Sequence, residues 1–227
     1  MGLTALPPSE LTNQLVMARP ARVSPDRILA AAALEFAERG FGGARVDRIA
    51  RRARVNKAMI YYHFKSKQAL YRSLLRDLFT LVGDRLQQIA SSDRPSSEKI
   101  DQTIVMFADM IQQQAAVPAI MLREVAERGA HLDPDTLTAL TRVPRLVAAI
   151  VQEGVDAGAF RAVNPVFAHF TLFAPVLFYL AGAPIRQEIT DLHLMNLSSA
   201  TPNDFVQHMQ DTARRALARD VPARSTR

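Results

Sequence analysis

The sequence contains no cysteine and no tryptophan, and only 9 of its 227 residues are glycine. Without cysteine the chain has no disulfide, no thiol nucleophile and no thiolate metal site, which favours a reducing compartment. The few glycines form no phosphate-binding loop, and the 5 histidines show no HExxH spacing. The serines form no recognisable Ser-His-Asp pattern. We therefore expect no catalytic residues, no metal, no cofactor and no enzymatic activity.

Targeting and membrane signals are also missing. Residues 1–16 have no basic segment followed by an apolar segment and a cleavage site. Residues 166–183 form the most apolar run, but His169, Pro175 and Gly182 within it favour a buried helix over a membrane span. The composition, 48% hydrophobic and 22% charged, is typical of a globular chain with a real core. We expect a cytoplasmic protein without a membrane partner.

Positive charge is concentrated in the first third of the chain. Residues 1–80 carry fourteen basic and six acidic side chains, a balance of +8, whereas residues 81–227 carry fourteen and sixteen, a balance of −2. A basic segment on a near-neutral remainder indicates a unit that binds a polyanion, most often the phosphate backbone of nucleic acid. The alternative is a solvated surface with an ordinary scatter of charge.

Helix starts and stops are marked along the whole chain. Four residues that can cap a helix stand directly before proline: Ser24, Asp133, Asn164 and Thr201. Glycines 40, 129 and 158 are typical of helix ends. No alternating β-branched run is bounded by tight-turn residues, so the predicted fold is all-α. The predicted helices span residues 24–39, 46–53, 57–63, 67–90, 97–114, 117–128, 134–157, 165–180, 185–195 and 202–219, with prolines 144 and 175 expected to kink or split two of them.

The second and third predicted helices form a helix-turn-helix pattern in the segment VDRIARRARVNKAMIYYHF. Val46, Ile49, Ala50 and Val55 are spaced to enclose a small core with Ile60. The opposite face then collects donors for phosphates and base edges, and such a unit places its second helix in the major groove of DNA. These donors are Arg45, Arg48, Arg51, Arg52, Arg54, Asn56, Lys57, Tyr61, Tyr62 and His63.

Over residues 24–75 the sequence resembles the tetracycline-repressor (TetR) family of bacterial transcription regulators. The segments RILAAAALEFAERGF, VDRIARRARV and NKAMIYYHFKSKQALY carry the resemblance in this order, and it is weak outside this third. It implies an N-terminal three-helix helix-turn-helix domain and a larger C-terminal helical domain that binds a small-molecule effector and forms a homodimer. It also implies that a palindromic operator in double-stranded DNA is bound and usually released when the effector arrives.

The family motif assigns DNA contacts residue by residue. The start of the second helix contributes Arg45 and Val46, and Lys67 matches the family's phosphate-contacting lysine. The recognition helix contributes Asn56, Lys57, Ala58, Met59, Tyr61, Tyr62 and His63, while Phe64 is expected in the core.

Three residues depart from the family pattern. Arg54 stands where a turn glycine is common, so its backbone would have to adopt a left-handed conformation. Ala58 replaces a frequent glycine, and Met59 replaces a frequent threonine or other polar residue. Because Met59 can pack on a thymine methyl group instead of forming a hydrogen bond, the base preference is not inherited from the family.

The expected domain limits follow from the same resemblance. Residues 1–22 form a flexible tail, 23–66 the helix-turn-helix DNA-binding domain, 67–220 the effector-binding and dimerisation domain, and 221–227 a C-terminal tail. Met17 opens the segment MARPARVSPDRILA and is the expected natural start.

The larger domain is less informative, because methionine and aromatic residues at helical spacing fit both a ligand pocket and an ordinary core. The candidates for a pocket are Met106, Phe107, Met110, Met121, Phe170 and Phe173. His169, flanked by apolar residues, fits a core histidine with satisfied hydrogen bonds better than a ligand contact. Arg123, Glu124 and Arg128 are either a solvated helix face or anchors for a polar effector group.

The resemblance also points to helices 165–180 and 202–219 as the dimer interface, packed as a four-helix bundle. The candidate contacts are Phe167, Phe170, Leu177, Phe205, Met209 and Leu217. A dimer fits DNA geometry, because two recognition helices roughly 34 Å apart meet successive major grooves.

A function of a different class is also compatible with the sequence. The chain could be a helical carrier or sensor of apolar molecules whose basic end binds polyanions without sequence preference. An operator-binding regulator requires a sharp preference for one palindrome, whereas such a carrier shows only salt-sensitive binding. Activation instead of repression, or regulation without an effector, also remains open, as do the effector, the operator sequence and the regulated genes.

Overall fold

The computed structural model describes residues 24–114, 116–197 and 199–219, and within these ranges the chain forms ten α-helices and no strand. The helices are α1 (Pro25–Gly43), α2 (Val46–Ala53), α3 (Lys57–Phe64), α4 (Lys67–Ala90), α5 (Ser96–Gln113), α6 (Ala116–Ala126), α7 (Pro134–Asp156), α8 (Pro165–Ala181), α9 (Ala183–Asp191) and α10 (Pro202–Leu217). This confirms the all-α prediction, and every predicted helix is present with its ends displaced by four residues at most. The predicted tails and Met17 lie outside the described residues.

All four predicted helix starts before proline are capped by side chains. The capping oxygens belong to Ser24, Asp133, Asn164 and Thr201. Thr201 and Asp204 each accept a hydrogen bond from the other's backbone N–H, a complete capping box. Because the first N–H groups of a helix have no partner within it, each cap stabilises its helix by about 1 kcal/mol. Prolines 144 and 175 do not split α7 and α8, which run through them as single helices.

Gly40 bends α1 where the sequence predicted its end. Its backbone has φ 66° and ψ 174°, a conformation that strains any residue with a side chain, and helical structure resumes as far as Gly43. A Cβ atom on Gly40 would lie 3.2 Å from Nη1 of Arg123 in α6. The bend therefore lets α6 pack closely against α1.

The first three helices share one small apolar core. Ile28 of α1, Ile49 of α2 and Ile60 of α3 are at most 1% exposed. Leu70 and Leu75 of α4 are fully buried and complete this core. Val46 and Ala50 are buried and Val55 is partly buried, as the spacing predicted. The three helices therefore form one packed unit that contacts the start of α4.

The larger domain is organised around α4, whose 24 residues span about 36 Å at 1.5 Å per residue. Its main partner is α7, and α5 and α8 pack together beside this pair. The last helix, α10, packs on α5 and α8, while α6 bridges α8 and α1. The DNA-binding unit is thus joined to the larger domain through α4 and through the contact between α1 and α6.

No single helix in the described ranges is long and apolar enough to cross a membrane. Two bent helix pairs, α5 with α6 and α8 with α9, pass the length and composition test only when taken together.

Candidate nucleic-acid interface

The turn between α2 and α3 fixes the direction of α3. Arg54 adopts the left-handed conformation that its position predicted, with φ 53° and ψ 49°. The backbone N–H of Val55 donates to the carbonyl of Ala50 at 3.0 Å, which ties the turn to the end of α2. Asn56 then caps the start of α3, and its side-chain oxygen accepts the N–H of Ala58 at 2.8 Å. This cap uses one end of the Asn56 amide and leaves its NH₂ group as a donor.

The outer side of α3 presents two aromatic residues to solvent. Tyr61 is 42% exposed and Tyr62 is 69% exposed. Ala58 is also exposed and Met59 is partly exposed, so both can approach a base edge. Lys57 pairs with Asp47 of α2 at 2.9 Å, and this hydrogen bond raises the pKa of Lys57 and lowers the pKa of Asp47. Both partners are exposed, so the pair is weak and Lys57 can turn towards a phosphate.

His63 is less exposed than Tyr61 and Tyr62, and its DNA contact stays a prediction. The residue is partly buried, and its Nε2 atom is buried without a hydrogen-bond partner among the described residues. Its ring packs edge-on against Tyr62 with centroids 5.2 Å apart. The physical reason is helical spacing, because position 63 lies three residues after buried Ile60 and falls on the inner side of α3.

The arginines of the unit divide into structural and free groups. Arg45, Arg51 and Arg54 are exposed and form no ion pair within the described ranges. Arg52 instead pairs with Glu38 of α1 at 2.9 Å. Three free guanidinium groups near α3 give this face the positive charge that a phosphate backbone attracts.

Glu35 connects α1 to α2, a role that the sequence analysis missed. Its carboxylate is 2% exposed and accepts hydrogen bonds from Arg48 Nε at 2.5 Å and from the backbone N–H of Arg45 at 3.1 Å. Burial alone raises the pKa of Glu35, but the hydrogen bonds of Arg48 and Arg45 outweigh it and lower the pKa. A glutamate inside the buried stripe of Ile28, Ala32 and Phe36 was the available signal. Arg48 is therefore structural, although it was predicted to face DNA.

Two other residues predicted to contact DNA, Val46 and Lys67, also make contacts within the chain. The side chain of Val46 is 7% exposed, so only its backbone N–H, at the start of α2, can contact a phosphate. Lys67 donates from Nζ to the carbonyls of Phe41 at 2.8 Å and Ala44 at 3.2 Å. An ammonium group has three donors, so one hydrogen of Lys67 remains for a phosphate.

The predicted pocket residues do not line one cavity. A groove of about 400 Å³ lies between α4, α5 and α10, and Met106 is the one predicted residue that lines it. The rings of Phe107 and Phe173 contact each other at a tilt, with centroids 4.8 Å apart, and Met110 is buried in the core. Met121 is partly buried against the core, and Phe170 is 62% exposed.

His169 of α8 lies beside this aromatic group and differs from the expected satisfied histidine. Its Nδ1 atom is buried and has no hydrogen-bond partner in the described part of the chain. The rings of Phe170 and Phe173 lie 5.2 and 5.4 Å from the imidazole. Burial lowers the pKa of His169, so the ring is neutral near pH 7.

The predicted dimer contacts fall into two groups. Phe167 is 69% exposed, and together with Phe170 and Phe178 it forms one apolar stripe along α8, which we call the α8 stripe. Leu177 and Phe205 are partly buried against the chain's own core. Met209 and Leu217 are 4% and 3% exposed because α10 buries this side against α5 and α8, so they are not available to a second chain.

Family models match both parts of the chain. Residues 28–74 match the bacterial regulatory proteins of the tetR family, and residues 97–212 match the tetracyclin repressor-like C-terminal domain. The transcriptional repressor KstR2 of Mycolicibacterium smegmatis is 29% identical over 72% of this chain and 82% of its own length. The repressor NicS of Pseudomonas putida is 25% identical over 90% of this chain and 97% of its own.

Solved structures show the same fold. The fatty acid degradation regulator FadR from Bacillus halodurans superposes with a TM-score of 0.70 at 17% identity, covering 89% of this chain and 97% of its own. The regulator PfmR from Thermus thermophilus gives a TM-score of 0.64 at 21% identity, covering 86% of this chain and all of its own.

Proposed function

The chain belongs to the tetR family of bacterial regulatory proteins, and from this membership we propose that it represses transcription as a homodimer on a palindromic operator and leaves DNA when a small, largely apolar effector binds. Its relatives are transcriptional repressors, so the chain is a DNA-binding regulator and not an enzyme. The observation that carries the proposal is the exposed side of α3, where Tyr61 and Tyr62 face solvent, together with the exposed arginines 45, 51 and 54 that precede this helix. A regulator of this kind acts in the cytoplasm, where the chromosome is.

The proposed DNA contacts divide by their chemistry. Phosphates are held by Arg45 before α2, by Lys67 at the start of α4 and by the hydroxyl groups of Tyr61 and Tyr62, because all four are hydrogen-bond donors. Base edges are read by the first turn of α3 and the residue that caps it. These reading residues are Asn56, Lys57, Ala58 and Met59, of which Asn56 retains its free amide donors.

The proposed dimer forms through the α8 stripe. Positions 167, 170, 171, 174 and 178 are all exposed and follow helical spacing, and three of them are phenylalanine. Exposed apolar patches of this kind mark association surfaces. A second copy of the chain is the proposed occupant, because two-fold symmetry then presents one α3 to each half of a palindrome.

The proposed effector site lies between α5 and α8, next to His169. The buried Nδ1 atom of His169, which has no hydrogen-bond partner among the described residues, offers one hydrogen bond to a ligand, and Phe107 and Phe173 supply apolar contacts. Because Phe107 and Phe173 touch each other, an effector must separate them and so displace α5 from α8. His169→Phe should therefore bind operator normally and lose release by the effector.

The domain limits proposed from the sequence agree with this separation of DNA binding from dimerisation and effector binding. Residues 23–66 carry the DNA-binding unit, and residues 67–220 carry the α8 stripe and the effector site. The Lys67 ammonium sits at the boundary, bonded back to α1.

Selection of bound duplexes from a random pool, at near-physiological salt, tests the proposal. The expected product is a palindrome whose half-sites are about one helical turn apart. Recovery of no preferred sequence, with binding that fades as salt rises, would instead support the helical carrier of apolar molecules with a basic end.

Repeating the selection with Met59→Thr tests the assignment of α3. The preferred base should change at one position of each half-site, because a hydroxyl replaces an apolar contact. Leu34→Thr is the matched control, since Leu34 is exposed on α1 away from α3, and it should select the same palindrome as the unaltered protein.

A further inference from the structure

Three side chains that can bind a metal meet at the end of α6. They are Glu124, Glu127 and His131, and their ligand atoms lie within 4.8 Å of one another. His131 Nδ1 is 2.8 Å from Glu124 Oε1 and 3.2 Å from Glu127 Oε2. From the sequence, Glu124 was expected only as a solvated residue or an effector anchor, and no metal was expected. We call these three residues the α6 cluster.

The α6 cluster holds a buried carboxylate whose charge is poorly compensated. Glu124 is 4% exposed, and its Oε2 atom is buried without a hydrogen-bond partner among the described residues. Within those residues neither Glu124 nor Glu127 pairs with a lysine or an arginine, so two carboxylates share the single imidazole of His131. Burying a carboxylate oxygen without a partner is costly, and a bound cation removes this cost.

Tyr71 of α4 orients the buried carboxylate. Its hydroxyl donates to Glu124 Oε1 at 2.8 Å. The phenol carries a proton at neutral pH, so its hydroxyl acts as the donor in this hydrogen bond. A carboxylate held in this way by a neighbouring donor is typical of metal ligands in proteins.

We propose that Glu124, Glu127 and His131 bind one divalent cation of the zinc and cobalt class. One imidazole nitrogen and two carboxylate oxygens suit these metals, whereas calcium and magnesium prefer oxygen ligands alone. The Glu127 side chain is 42% exposed and free to rotate towards the other two ligands. Water can fill the fourth position of a tetrahedral site.

The position of the α6 cluster gives the cation a regulatory role beyond operator and effector binding. The His131 ring lies 4.2 Å from the ring of Phe41 in α1, and Arg72 of α4 donates to the His131 carbonyl at 3.1 Å. A bound cation therefore fixes the end of α6 against the two helices that carry α2 and α3. Metal occupancy then limits how the DNA-binding unit moves relative to the larger domain.

Titration of the tag-free, chelator-treated full chain with Co²⁺ tests the site. Visible absorption should report one Co²⁺ per chain, and Zn²⁺ should displace it. Loss of an orienting partner alone weakens metal affinity by about 10–100-fold, so His131→Gln and Glu127→Gln should each weaken Co²⁺ binding at least tenfold. Tyr71→Phe, which removes only the hydrogen bond to Glu124, should weaken it by about tenfold.

Two control variants separate the α6 cluster from ordinary surface binding. His208→Gln and Glu98→Gln replace an exposed histidine and an exposed glutamate elsewhere, and both should bind Co²⁺ as the unaltered protein does. Thermal unfolding without metal checks that every variant is folded. Absence of bound Co²⁺ in the folded, unaltered protein would overturn the proposal, as would undiminished binding by a folded His131→Gln, Glu127→Gln double variant. Because the titration contains no DNA, its result does not depend on whether the protein binds an operator.

Discussion

At the scale of single residues, Arg54 shows how a side chain can sit in a glycine-like turn. Its left-handed backbone costs about 1–2 kcal/mol relative to an ordinary helical conformation. In return the chain gains an exposed guanidinium directly before α3, on the side that faces the proposed phosphate backbone. The turn thus exchanges some stability for positive charge.

Replacing this residue should stabilise the protein. Arg54→Gly relieves the left-handed strain, and we expect the free energy of unfolding to rise by about 0.5–1 kcal/mol, measured by urea denaturation. Arg51→Gly is the matched control, because it makes the same chemical change inside α2 and should lower that free energy by about 1 kcal/mol. Equal signs for the two variants would mean that the turn is not strained.

Tyr62 offers a second test at this scale. Because its side chain is 69% exposed, Tyr62→Ala should change stability little while weakening binding to the selected duplex by about tenfold, equivalent to about 1.4 kcal/mol. Fluorescence anisotropy at fixed salt measures the affinity. Leu34→Ala, an exposed residue of α1, should bind the duplex unchanged. Unaltered affinity in Tyr62→Ala would place the DNA contact elsewhere.

The sequence predicted most of the small apolar core but not every side-chain direction. Spacing was sufficient for Ile49 and Ile60, since a buried apolar residue recurs every three to four positions. His63 and Lys67 were harder, because a polar residue near the inner side can face either way. Their orientation depends on three-dimensional neighbours, such as the carbonyl of Phe41 that accepts from Lys67.

At the scale of helices, the hydrogen bonds of Glu35 decide how α2 sits on α1. The pKa of this carboxyl is lowered in the folded state, despite the opposing effect of burial. A carboxylate whose pKa is lowered by folding stabilises the folded state at pH values above its ordinary pKa, here 4.5. This stabilisation is lost as the pH falls through the lower folded-state pKa.

Glu35→Gln should therefore destabilise the protein in a pH-dependent manner. At pH 7 we expect a loss of about 1.5–3 kcal/mol, because Arg48 and Arg45 lose a charged acceptor. The difference should shrink as the pH falls below 4.5 and through the lowered folded-state pKa of Glu35. Urea unfolding across this pH range provides the measurement, and a difference that does not vary with pH would contradict the role of charge.

Glu38→Gln provides the matched control for this experiment. Glu38 lies on the same helix and also pairs with an arginine, Arg52, but its side chain is 49% exposed. Exposed pairs contribute little, so we expect a change of about 0.5 kcal/mol or less at any pH.

Helix starts were predictable because their signals are local. A capping residue followed by proline needs no tertiary information, and all four such pairs begin helices in the structure. The bend at Gly40 was predicted as an end, because glycine marks both features alike. Only the packing of Arg123 against Gly40 distinguishes a bend from a stop.

At the scale of the whole molecule, the α8 stripe predicts the assembly. Phe170→Glu combined with Phe178→Glu places charge in the proposed interface, and we expect sedimentation velocity to show monomers where the unaltered protein sediments as a dimer. Binding to the palindrome should weaken in parallel, because two linked recognition helices bind more tightly than one.

The control for this prediction is Leu34→Glu, which adds a charge at an exposed position of α1 and should remain dimeric. Both charged α8 residues are exposed, so the double variant should retain its helix content by circular dichroism. Truncation of α10 is a poorer test, because Met209 and Leu217 belong to the core of the chain itself. A folded double variant that sediments as a dimer would move the interface to another surface.

The division of charge between the two parts of the chain was visible in the sequence, whereas the proposed effector site was not. Net charge adds up from composition alone, but a pocket depends on how helices from distant positions meet. Phe107 and Phe173 illustrate this, because they lie 66 positions apart and their rings are in contact in the structure. Their contact fills the space between α5 and α8 where the sequence predicted a pocket.

The length of α4 amplifies small rotations of this helix into larger displacements at its end. Acting as a lever arm of about 36 Å, this helix converts a tilt of about 5° at one end into a displacement of about 3 Å at the other. In a two-fold symmetric pair the two displacements add to about 6 Å, against the roughly 34 Å repeat of the double helix. A repressor built this way would need only a small movement near its effector to put both recognition helices out of step with the grooves.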